Sequence, residues 1–75
     1  MLAPKIERLE KKIKEINAIK SEYRAEIDEA FRNFKAKKIG KEDFEKIRQR
    51  NEEKIEKLNE KIKEIRSLIK SMKES

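Results

Sequence analysis

Apolar residues return along this chain every three or four positions. With Ile6 taken as position a of a seven-residue repeat, the a positions are Ile6, Ile13, Lys20, Ile27, Phe34, Lys41, Arg48, Ile55, Ile62 and Ile69. The d positions are Leu9, Ile16, Tyr23, Ala30, Lys37, Phe44, Asn51, Leu58, Ile65 and Met72. Fifteen of these twenty positions are apolar, while the rest of the repeat is mostly charged or polar. That pattern predicts helix with one buried seam, because side chains three and four apart share a helix face. The alternation that strands need is absent.

The seam is strong toward both ends and weak in the middle, where Lys37, Lys41 and Arg48 interrupt it. Pro4 suits a first helical turn, in which its missing N–H is no loss. Gly40 is the only glycine and the residue best fitted to a left-handed helix end. Lys35, Lys37 and Lys38 before it suit a helix C-terminus; Glu42 and Asp43 after it suit an N-terminus. These signals predict a first helix over about residues 4–38, a turn at 39–41 and a second helix over about 42–73.

The expected fold is therefore all-α: two long antiparallel helices forming a coiled-coil hairpin, one domain over residues 1–75. Partners should have residue numbers adding to about 78, pairing Ile6 with Met72, Leu9 with Ile69, Ile16 with Ile62 and Phe34 with Phe44. A second arrangement satisfies the same repeat. The phase runs on through Gly40 without insertion, so one continuous helix of about 105 Å could pair in a dimeric coiled coil. That form would gather Lys37, Lys41 and Arg48 in one seam.

Composition limits the chemistry. Charged residues are 51% of the 75 residues and apolar ones 35%, which lines a seam but does not fill a large core. There is no Cys and no His, removing thiol nucleophiles, disulfides, the usual metal ligands and the usual general base. The acidic groups Glu22, Glu26, Glu29 and Glu52, Glu53, Glu56, Glu60 read as solvated helix faces. Favourable i,i+4 pairs such as Glu7–Lys11, Glu10–Lys14, Glu42–Lys46 and Glu53–Lys57 give those faces a structural purpose. No catalytic residue, metal or cofactor is expected, and the chain is expected not to be an enzyme. The first residues, MLAPKIERLE, lack the apolar stretch of a signal peptide, and no apolar run approaches membrane-spanning length, so a cytoplasmic location is expected.

Two interaction surfaces follow. Ile19, Phe31 and Leu68 lie beside the seam and widen the apolar stripe; with Tyr23, Phe34 and Phe44 they form a candidate protein interface. The partner expected there is a second copy, as a homodimeric four-helix bundle, or another helical protein. Lys20 and Asn51 are polar insertions that restrict register. The lysine stem is expected to carry its ammonium past the seam to water.

The second surface is basic. The net charge is +6; residues 5–14 and 61–75 each carry five basic and two acidic groups. Lys5, Arg8, Lys11, Lys12, Lys70 and Lys73 at those ends, with Lys35, Lys37, Lys38 and Lys41 near the turn, are candidate phosphate-contacting residues. They support an alternative function, nonspecific nucleic-acid binding through the backbone. No base-reading motif accompanies them.

Overall fold

A computed structural model describes residues 3–74; Met1, Leu2 and Ser75 of the expected 1–75 domain lie outside the described residues. Two helices, α1 (Ala3–Lys35) and α2 (Lys41–Glu74), pack as an antiparallel hairpin. The molecule is a rod of 56 × 15 × 10 Å, the length expected of helices rising about 1.5 Å per residue. The chain thus folds back on itself, in place of the continuous helix.

The core is a single line. Ile16, Ala30, Ile62 and Ile69 are buried, and most other apolar members of the repeat are half-buried. A two-helix rod covers each seam residue from one side only, so this partial burial follows from the architecture.

The turn departs from the expectation in a specific way. α1 stops at Lys35, not near residue 38, and the left-handed residue is Lys37, with φ 62°. Gly40 has no positive φ. The Lys38 N–H donates to the Asn33 carbonyl at 2.8 Å and the Lys37 N–H to the Phe34 carbonyl at 3.0 Å. These 6→1 and 5→2 bonds are a Schellman motif with Lys37 in the position that glycine usually holds.

Gly40 instead begins α2. Its carbonyl accepts the Phe44 N–H at 3.1 Å, the first bond of that helix, which makes Gly40 the N-cap. Ile39 and Phe44 then occupy the N′ and N4 positions of a hydrophobic staple, and both are half-buried. Glu42 and Asp43 stand in the first turn of α2, where carboxylates favour the positive end of the helix dipole.

Candidate interaction surfaces

The two helices meet through side chains whose numbers fix the register. Phe34 stacks on Phe44 with centroids 5.4 Å apart and planes at 11°. The Lys54 ammonium lies 5.2 Å from the centre of the Tyr23 ring. Arg50 and Glu26 approach to 3.9 Å. The three pairs add to 78, 77 and 76, close to the expected sum of about 78.

The candidate interface residues do not form one surface. Buried Ile16, Lys20 and Ala30 mark the inward direction of α1. At about 100° per residue, Ile19 lies roughly 60° to one side of it and Phe31 roughly 60° to the other. Leu68 departs from the buried line of α2 in the same rotational sense as Ile19. In an antiparallel pair, equal senses fall on the same flank.

The first flank therefore carries Ile19 (40% exposed), Leu68 (49%) and half-buried Ile47. The Glu26–Arg50 ion pair joins the helices on this flank, as the same rotation requires. Phe31, 45% exposed, is on the second flank, where its ring meets Phe44 at 5.7 Å and the Lys35 ammonium at 5.6 Å. Tyr23, Phe34 and Phe44 are half-buried in the hairpin itself. Phe34 meets Phe44 and Tyr23 meets Lys54 across the pair, so these side chains serve the hairpin itself.

The second flank is polar. Arg48 bonds Glu45 three residues before it and Glu52 four after it, the latter at 3.2 Å. Hydrogen bonding to Glu45, then the charges of both carboxylates, raise the Arg48 pKa above its usual value. Arg48 occupies an a position, yet its charge turns outward and half-buried Ile47 fills in beside it. The spacing Glu45–Arg48–Glu52 was the sequence signal for this network. Of the four expected i,i+4 pairs, Glu42–Lys46 forms an ion pair at 3.8 Å.

The polar insertions behave differently from each other. Asn51 is fully buried. Its amide donates to the Ile47 carbonyl at 2.8 Å, and its Oδ1 has no hydrogen-bond partner. Lys20 is only 9% exposed, so the residue is far less wet than a seam-crossing lysine was expected to be. It lines an open groove of about 350 Å³ on the second flank with Asn17, Asn59, Glu60 and Arg66.

The candidate phosphate-contacting residues are all exposed but divide between opposite ends of the rod. Lys5, Arg8, Lys11, Lys12, Lys70 and Lys73 surround the open end; Lys35, Lys37, Lys38 and Lys41 surround the turn. Antiparallel pairing brings residues 5–14 beside 61–74, each segment with five basic and two acidic groups. The open end accordingly holds a charge equal to the whole formal +6, and the remaining 12 basic and 12 acidic residues cancel.

Among the described residues, no cluster of acidic side chains has the arrangement of a metal site, and no helix is long and apolar enough to cross a membrane. Comparisons with protein-family models, with curated proteins and with solved structures find no match to this chain.

Proposed function

We propose that this chain is a non-catalytic coiled-coil module whose function is structural or protein–protein interaction, with a second hairpin as its simplest partner. The observation that carries this reading is the shared flank of Ile19 and Leu68, large apolar side chains left 40% and 49% exposed. Their levels along the rod differ by about nine residues, roughly 14 Å of helix, with Ile47 further toward the turn on the same flank. Two hairpins meeting there would cover these side chains and make a four-helix bundle, a solution open to thin helical cores.

Sedimentation across micromolar concentrations tests this. A concentration-dependent rise toward twice 9.1 kDa, abolished by Ile19→Lys with Leu68→Lys, is the expected result. A single 9.1 kDa species up to about 200 µM would overturn self-association at this flank.

The charge at the open end supports a second reading, nonspecific binding to nucleic-acid backbones. Exposed lysines contact phosphates without reading bases, and such binding weakens steeply with salt. Titration of duplex DNA at low and moderate salt separates the readings. Tight binding that persists at moderate salt would favour the nucleic acid; loss of binding leaves the flank as the functional surface.

A further inference from the structure

We infer that the hairpin has a second, dimeric state. Two chains open at residues 36–40, each runs as one continuous helix, and each α2 pairs with the α1 of the other chain. The inference rests on the register and the turn, not on the apolar flank.

The cross-helix partners are related by a nearly constant sum of 75 to 78. Such pairing is symmetric about the turn. Two straight antiparallel helices related by a twofold axis through residues 38–39 would pair their residues by the same rule. Phe34 would stack on Phe44 of the second chain, Tyr23 would meet its Lys54, and Glu26 its Arg50. Each of these three cross-helix contacts thus has an intermolecular copy, the condition under which exchange of an element between protomers costs little.

The sequence also permits the turn to straighten. Ala30, Phe34, Lys37, Lys41 and Phe44 follow at intervals of four, three, four and three. The repeat therefore crosses the turn without a phase slip, and a helical 36–40 would leave both phenylalanines on the seam. Straightening would release Lys37 from its left-handed conformation at φ 62°. Gly40 imposes no positive φ and has empty space around the position of a Cβ. Neither turn residue commits the chain irrevocably to reversal.

Lys37 and Lys41 favour the closed form. In the hairpin both are exposed. In the exchanged dimer they would face Lys41 and Lys37 of the second chain at the centre of the seam. Four ammonium groups would meet there, partly withdrawn from water. These two lysines, together with chain concentration, set the balance between the states.

The test uses spin labels on Glu10→Cys and Ser67→Cys, exposed sites in a chain with no native cysteine. Closed hairpins hold the pair within about 30 Å, given helix axes roughly 10 Å apart. Along one continuous helix the same labels are about 86 Å apart. The variant Lys37→Leu/Gly40→Ala/Lys41→Leu is expected to double in mass, with a dimer dissociation constant at least about a hundredfold below that of the parent chain. Its short label distance should vanish when the labelled chain is refolded with tenfold unlabelled excess, because that distance is then between chains. Lys37→Glu/Gly40→Ala, which puts a carboxylate opposite Lys41 of the second chain, should move the same way without an apolar centre. Lys37→Gly should move the balance toward monomer. Mass that stays at 9.1 kDa in both exchange-favouring variants would overturn the inference. So would a dimer whose short distance survives dilution. That last outcome is two closed hairpins meeting at the flank, and the two proposals fail separately.

Discussion

Phe34 and Phe44 stack across the turn end of the hairpin, with ring centres 5.4 Å apart and planes inclined by 11°. Phe31 leans on the same Phe44 ring at 55° from the other flank. Phe44 thus meets both α1 phenylalanines, and it also holds the N4 position of the staple with Ile39 at N′.

Phe44→Ala should therefore cost more than truncation of either partner. Fully buried Phe→Ala changes cost about 3–5 kcal/mol. Phe44 is half-buried, so a loss of about 2–3 kcal/mol is expected, with about 0.5–1.5 of it from the ring pairs. Phe31→Ala, at a mostly exposed ring, should cost under about 1 kcal/mol. Urea titration followed by helical circular dichroism measures both. Equal costs would show that the Phe44 contacts contribute nothing beyond its exposed area.

Lys37→Gly should stabilise the hairpin. A left-handed non-glycine residue costs about 1–2 kcal/mol, and glycine recovers that while loosening the unfolded chain by about 0.4–1 kcal/mol. A net gain of about 0.5–1 kcal/mol follows, a rise in Tm of about 3–6 °C for a domain of this size. A thermal scan that shows no rise would mean that the Lys37 conformation is unstrained.

Gly40→Asp should add to this. Gly40 is the N-cap of α2, has no positive φ, and a Cβ there meets nothing within 4 Å. An aspartate would supply the capping oxygen that glycine lacks, favour the helix dipole and stiffen the unfolded chain. The expected gain is about 0.5–1 kcal/mol. Gly40→Ala, with no capping atom, separates these effects. If alanine stabilises as much as aspartate in urea melts, the cap contributes nothing.

The seam was legible in the sequence because helix periodicity alone dictates it. Ile16, Ile62 and Ile69 are buried where the repeat puts them, and Phe34 meets Phe44 as the register arithmetic requires. The helix end was not legible. Glycine preference points to Gly40 for the left-handed site, but the preference is a local free energy of about 1 kcal/mol. Using Lys37 instead leaves Gly40 free to start α2 and leaves Ile39 and Phe44 in staple positions. Ile19, Phe31 and Leu68 divide between the flanks for a different reason. All three lie just beside the seam in sequence, yet the two edges of a seam become opposite flanks once the helices pair. The basic residues separated likewise, since a rod 56 Å long keeps its turn and open end apart.

Asn51 is the fully buried polar side chain of this rod, and its Oδ1 lacks a partner. Its amide bond to the Ile47 carbonyl lies within α2 and does nothing to join the helices. A buried acceptor left unpaired costs about 1–3 kcal/mol. Asn51→Leu removes that cost and adds apolar area at a d position, so the hairpin should gain about 1–3 kcal/mol. What the asparagine supplies in return is discrimination. The nearby a and d residues Ile27, Ala30, Phe44 and Ile55 are apolar and Arg48 turns its charge outward, which leaves Asn51 as the buried polar site in that stretch of seam. Slipping α2 by one repeat would carry the amide opposite Phe34 or Lys20 and bring Phe44 or Leu58 into its place. With leucine there, the correct and slipped pairings become more alike in energy. The variant should therefore melt later in urea while giving broadened or doubled amide resonances for residues around 27–30 and 47–55. A more stable variant with one sharp set of resonances would show that register is held elsewhere, by the Phe34–Phe44 stack and the turn. A less stable variant would show that the buried Oδ1 is satisfied in solution.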